Sequence, residues 1–170
     1  RSRKKVQPPR QVIREFYENA RSRLRHDVRT FTIGDRCRIG ESFARVMVSE
    51  KYTCYDCVIM PDHVHLLIRK HRHQFEDITE NLKQAGRESL ITSDWPEGHP
   101  VWTVGCWSVF LEHPDEVRRT IRYIERNPLA LNESVHSCKQ KTAYDGWPLH
   151  PGHNPNSPYV RGLRTAGRYL

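Results

Sequence analysis

From Tyr52 to Ile68 the chain reads as β-rich, yet Pro61-Asp62 stands inside that run. Proline has no N–H to give to a sheet ladder, so its presence implies a bend, a bulge or an edge there. Segments of helical period lie on both sides. Ile39, Phe43, Val46 and Met47 predict a helix over about Arg38 to Glu50, and Phe75, Ile78, Leu82 and Ala85 predict another over Phe75 to Leu90. Pro8-Pro9 can start a helix to about His26, with Val12, Ile13, Phe16, Tyr17, Ala20 and Leu24 at its apolar positions. Trp95 to Pro100 reads as loop, and Val101 to Leu111 as a strand broken near Gly105. A last helix is expected from about Pro114 to Asn127, with Pro128 as its stop. From Leu129 on, Pro, Gly, Asn, Ser and His dominate, which predicts a loosely packed segment. This order of elements points to an α+β fold, an antiparallel sheet covered by helices.

A length of 170 residues suits one domain with a tail, and a net charge of +8 favours a polyanionic partner over a merely solvated basic surface. The charge is uneven. Arg1, Arg3, Lys4, Lys5, Arg10 and Arg14 precede the first acid, Glu15; Arg161, Arg164 and Arg168 follow the last, Asp145. Both ends therefore read as basic arms. No apolar stretch is long enough to span a bilayer, so no membrane role is expected. Five cysteines, an odd number, with no secretory signal in view suggest a reducing, cytoplasmic setting. Arg1 is not a Met, which leaves room for residues upstream of it.

The sharpest chemistry lies in Met60-Pro61-Asp62-His63-Val64-His65-Leu66-Leu67-Ile68. Strand residues two apart share a face, so His63 and His65 project together while Val64 and Leu66 point into the core. Two adjacent imidazoles are half of a divalent metal site, although two histidines on a solvent-facing strand have the same pattern. Asp62 is either a partner that orients a ligand or a turn residue. A nucleotide hydrolase of the histidine-triad kind needs a third histidine where Leu67 stands. Cys54 and Cys57 have a C-x-x-C spacing, but three residues apart on a strand they are expected to face opposite sides, which argues against structural zinc. His71 and His73 share a face among Lys70 and Arg72 and read as a solvated strand end.

In the last helix, Val117, Ile121 and Ile124 form one narrow core stripe at 100° per residue, with Arg118, Arg119, Arg122 and Arg126 on the opposite half. Tyr123 and Asn127 are one turn apart at the edge of that stripe. Alone, Tyr123 reads equally as a boundary tyrosine whose hydroxyl reaches water.

Taken together, Met-Pro-Asp-His-Val-His-Leu-Leu-Ile at 60–68 and Tyr-Ile-Glu-Arg-Asn-Pro at 123–128 resemble the single-tyrosine transposases of the HUH nuclease class, namely the insertion-sequence-200-like group and its REP-associated members. Leu82-Lys83-Gln84 in the intervening helix and the Trp-containing strand expected before the last helix add to the likeness, which covers about Tyr52 to Leu131. The resemblance implies a ferredoxin-like fold and metal-dependent cleavage and joining of single-stranded, hairpin-forming DNA. It implies His63 and His65 as catalytic metal ligands for Mg²⁺ or Mn²⁺, Asn127 as third ligand, and Tyr123 as nucleophile. It further places Lys83, Gln84 and Arg87 near DNA, with Arg119, Arg122 and Arg126 as further DNA contacts, in a monomer or homodimer. The domain so implied spans 1–131, with a basic arm at about 1–7 and a basic segment at 132–170. The family fold opens with a strand before its first helix. Here that strand is expected to be missing from the sequence or supplied by Val28 to Ile33. Two other readings remain: a DNA-binding module of the same fold without catalysis, and a histidine-dependent nucleotide hydrolase.

Overall fold

A computed structural model of the chain describes Gln11, Glu15, Asn19 and residues 24–91, 94–111, 113–130, 139–144 and 146. The chain divides into two compact units, Arg1–Thr30 and Phe31–Leu170. In the first, Gln11, Glu15 and Asn19 are helical, and Gln11 Nε2 donates to Glu15 Oε1 one turn on at 3.0 Å. Of the apolar positions expected in that helix, Leu24 is exposed, and the other five lie outside the described residues.

The described residues of the second unit are α+β, a two-stranded antiparallel sheet with three helices: α1 (Ile33–Ser49), β1 (Cys54–Ile59), β2 (Val64–Ile68), α2 (Phe75–Leu90) and α3 (Pro114–Ala130). Pro61-Asp62 makes the bend. Ile59 pairs with Val64, and Met60 N–H donates to the His63 carbonyl at 2.8 Å, closing a two-residue hairpin loop. The Phe31 N–H donates to the Pro61 carbonyl at 2.6 Å and ties the loop to the residues before α1.

α1 starts five residues before the expected Arg38. Its N-terminus is a capping box: Thr32 Oγ1 accepts from Asp35 N–H at 3.1 Å, and the Asp35 carboxylate accepts from Thr32 N–H at 3.0 Å. Each side chain satisfies an amide that the helix leaves unpaired. Thr32 and Ile33 are thereby drawn into the cap and first turn, and 28–33 forms no strand.

Strand period divides the residues flanking the sheet into two cores. Cys57, Ile59, Val64, Leu66 and Ile68 meet Ile39, Phe43, Met47, Leu82 and Leu90 of α1 and α2. Val58, Met60 and Leu67 meet Ile124 of α3 on the other side. The register slips between Cys54 and Asp56. That irregularity returns Cys54 to the same core as Cys57, so the two cysteines do not face opposite sides as even alternation predicts. Both are buried in an apolar core, on the side away from α3.

Residues 101–111 contain no strand; they run along α2 instead. The Trp102 ring fills the space over Gly86, where an added Cβ would come within 2.7 Å of it, and Trp102 Nε1 donates to the Lys83 carbonyl at 2.8 Å. Lys83 Nζ in turn donates to the carbonyls of Thr103 and Gly105, at 2.9 and 2.6 Å. Farther along, Cys106 contacts Thr79 and the Phe110 ring lies 6.1 Å from Phe75. Positions 75, 79, 83 and 86 form one stripe of α2, and these side-chain anchors replace a β ladder.

α3 passes Pro128 and ends at Ala130 rather than stopping at Asn127; Pro128 is fully buried. At the other edge of β1, Thr142 N–H donates to the Cys54 carbonyl at 2.8 Å. Beside it, Lys141 Nζ meets the buried Asp56 carboxylate at 2.8 Å, and Tyr144 packs edge-on against Tyr55 at 5.0 Å.

Candidate functional site

β2 presents His65 toward α3, because Val64 and Leu66 occupy the opposite core. His63 precedes the strand by one residue and lies on the same side. Its Nε2 is 3.0 Å from His65 Nε2, with the rings 4.6 Å apart and perpendicular. Asp62, in the hairpin loop, accepts from His63 Nδ1 at 2.6 Å. A proton held on Nδ1 leaves the His63 Nε2 lone pair facing His65. Asp62 is therefore both the turn residue and the orienting partner, two roles the sequence leaves as alternatives.

The ring of Tyr123 stands edge-on to His65, centroids 5.4 Å apart, and the residue is 59% exposed. Asn127 hydrogen-bonds His65 through its side chain, and its Nδ2 also donates to the Tyr123 carbonyl at 3.1 Å. The structure thus brings His63, His65, Tyr123 and Asn127 to one place, where β2 meets α3. Burial, and then the neighbouring His63, lower the His65 pKa below 6.5; the bond from Asn127 opposes them in part. The imidazole is held neutral, the form that ligates a metal.

The donor set fits a divalent cation. Two nitrogens about 2.1 Å from one ion, in adjacent octahedral positions, stand about 3.0 Å apart. That is the separation of the two Nε2 atoms here. Among the described residues no three His, Cys, Asp or Glu side chains gather at one point, and the Asn127 amide is the further polar side chain bonded to this pair.

α3 begins with Pro114 at its first turn, and His113 Nδ1 accepts from Asp115 N–H at 3.2 Å as its cap. Along the helix Arg119, Arg122 and Arg126 lie on one flank of Tyr123, while Thr120 and Asn127 lie on the other. The three arginines are exposed, and Arg119 lines an open groove with Tyr123, Leu111, Glu116 and Thr120. Arg118 is set apart, paired with Asp115 at 2.9 Å and stacked over Tyr144 at 5.5 Å.

Lys83, Gln84 and Arg87 are elsewhere. α2 packs on α1 and makes no packing contact with α3. Lys83 is the clamp on Thr103 and Gly105 described above. Gln84 bonds Glu88, and Arg87 bonds Gln84 and pairs with Glu80. The Asp56–Lys141 pair is the feature that sequence reading missed. An acid at an interior position of a strand is its one local sign, and the partner stands 85 residues away.

In comparisons with known proteins the chain matches no family model, no curated protein and no solved structure. Among the described residues no helix is long and apolar enough to cross a membrane.

Proposed function

We propose that this chain is a metal-dependent endonuclease and strand transferase for single-stranded, hairpin-forming DNA, of the HUH single-tyrosine class and with its ferredoxin-like framework. The observation that carries the reading is the contact of Tyr123 with His65, itself paired with His63. The resemblance links two motifs about 60 residues apart; a ring separation of 5.4 Å is what a common site requires of them.

His63, His65 and Asn127 would hold the cation. Bound Mg²⁺ or Mn²⁺ would polarise the scissile phosphate and offset the charge that develops on it. Tyr123 supplies the nucleophile. Its hydroxyl loses a proton and attacks phosphorus; the P–Oη bond forms as the P–O3′ bond breaks. The 3′-oxygen leaves and takes up a proton, and the 5′-phosphate stays on the tyrosine. Attack by another 3′-hydroxyl reverses the step and joins strands with no high-energy cofactor. Arg119, Arg122 and Arg126 stand beside Tyr123, where they can neutralise flanking phosphates. The setting in this reading is cytoplasmic, with the protein acting as a monomer or homodimer.

The test is a labelled DNA hairpin with a single-stranded flank, incubated with the protein and Mn²⁺ and run on a denaturing gel. A covalent adduct that requires both Mn²⁺ and Tyr123 is the expected result. An adduct that persists in Tyr123→Phe would remove the nucleophile assignment. Salt-sensitive binding with no adduct would favour a DNA-binding module without catalysis.

A further inference from the structure

Apolar side chains are strongly exposed on the segment that runs along α2. Val104, Trp107, Val109 and Phe110 are 105%, 92%, 63% and 79% exposed. A large aromatic fully in water is uncommon, and a cluster of such residues marks an interaction surface. The segment is not loose. Trp102 over Gly86, Lys83 on two carbonyls, and Phe110 near Phe75 fasten it at both ends. Gly105, with φ of 70°, turns the chain between the Lys83 clamp and Trp107. Anchors that satisfy the backbone while leaving the aromatics outward are what a binding platform requires.

The same segment leads into the tyrosine site. Leu111, next to Phe110, lines the groove that Tyr123, Arg119 and Thr120 also line. An aromatic surface therefore continues into a groove with an arginine flank. Single-stranded nucleic acid is the ligand that matches both halves, because its bases stack on exposed rings and its phosphates pair with arginines. A wholly apolar partner would leave the arginine flank unmatched.

We propose that Trp107, with Phe110 as a second surface, is a base-stacking platform for unpaired nucleotides next to the strand bound at Tyr123. The proposal rests on the function proposed above and adds to it a binding site outside the histidine–tyrosine centre. Lys83 acts here as a positioning residue, holding the segment through its carbonyls.

The test measures binding of a fluorescein-labelled oligo-dT of about 16 nucleotides by anisotropy, across a salt series and without metal. Trp107→Ala is expected to weaken binding roughly five- to a hundredfold, and Trp107→Phe to restore most of it. The slope against salt should not change, because no phosphate contact is lost. An abasic strand of the same length should bind the unaltered protein as weakly as oligo-dT binds Trp107→Ala. The thermal melt of Trp107→Ala should match that of the parent, since the ring is outside the core.

Unaltered affinity in Trp107→Ala overturns the platform; an adduct at Tyr123 in that same variant leaves the transferase reading standing. Trp107-dependent binding with no adduct in the unaltered protein does the reverse. Loss of a dimer on Trp107→Ala, with affinity for oligo-dT retained, identifies the surface as a contact between copies and also overturns the platform. Failure of the unaltered protein to bind the strand overturns both.

Discussion

The chain has two His-x-His pairs, and their rings meet in nearly the same way. His63 and His65 are 4.6 Å apart at 88°, His71 and His73 are 4.7 Å apart at 86°, and each pair stands beside a tyrosine. They differ in which nitrogens are committed. Beside His71 and His73 the tyrosine is Tyr52, only 4% exposed. Its hydroxyl accepts from Asn81 at 2.9 Å, which leaves its proton for His73 Nδ1, also at 2.9 Å. His71 Nδ1 accepts from the backbone N–H of His73 at 3.1 Å. This pair is a packed support for Tyr52, not the solvated strand end expected of it. In the other pair the Nδ1 of His63 is held by Asp62, both Nε2 atoms converge, and the tyrosine is outside the core. The same local pattern thus makes a support in one place and a candidate site in the other. What separates them is the orientation of the rings and the tyrosine: Tyr52 is buried with its hydroxyl bonded on two sides, whereas Tyr123 is exposed beside converging Nε2 atoms.

The largest effect that can break this contrast is on adduct formation. Tyr123→Phe should reduce the covalent DNA adduct below detection, while Tyr52→Phe should leave it intact. Equal loss in both variants would mean that the exposed tyrosine has no special role. Next, His63→Ala should abolish Mn²⁺-dependent cleavage, and His71→Ala should not alter it. Asp62→Asn keeps the turn but weakens the hold on His63, so the Mn²⁺ concentration for half-maximal cleavage should rise about 10- to 100-fold.

Stability should show the opposite order. Tyr52→Phe removes a buried hydroxyl bonded on two sides and should cost about 1–3 kcal/mol in urea unfolding. Tyr123→Phe, at an exposed position, should fall within about 0.5 kcal/mol of the parent. Lys141→Met, at the far edge of β1, leaves the Asp56 carboxylate buried without its cation. Because Lys141 is itself one-third exposed, the cost should fall below that of a fully buried pair, at about 2 kcal/mol.

The smallest effect is in titration. His65 should show an NMR midpoint below 6.5, the ordinary value for a histidine. A depressed folded-state pKa means that the unfolded chain binds its proton first. The stability due to neutral His65 is therefore fully present above about 6.5 and is lost as pH falls through the lower folded value. Asn127→Leu removes the bond that opposes the shift, so the His65 midpoint should fall further; an upward movement would contradict the assigned contact.

Much of the framework was legible because it depends on period and punctuation. Pro61-Asp62 divided the β run where the hairpin turns, and α2 occupies Phe75–Leu90 as its apolar stripe required. Two-residue alternation put Val64 and Leu66 into the core behind the histidines. The start of α1 was also written locally, in Thr32 and Asp35, although Gly34-Asp35 has the look of a turn. The path of 101–111 was not legible. Its alternation suits a strand, and only Gly86 together with Lys83 makes α2 the better partner.

By itself the sequence determined which residues share a face, because backbone geometry sets that within a few positions. It put His63 beside His65 and Tyr123 one turn from Asn127. The tertiary structure decided which histidine pair keeps its Nε2 atoms turned toward each other, that Tyr123 meets His65, and that Lys141 closes on Asp56 across the length of the domain. Those outcomes depend on contacts between segments far apart in the chain. Such contacts are set by the packing of whole elements against one another, which no local period encodes.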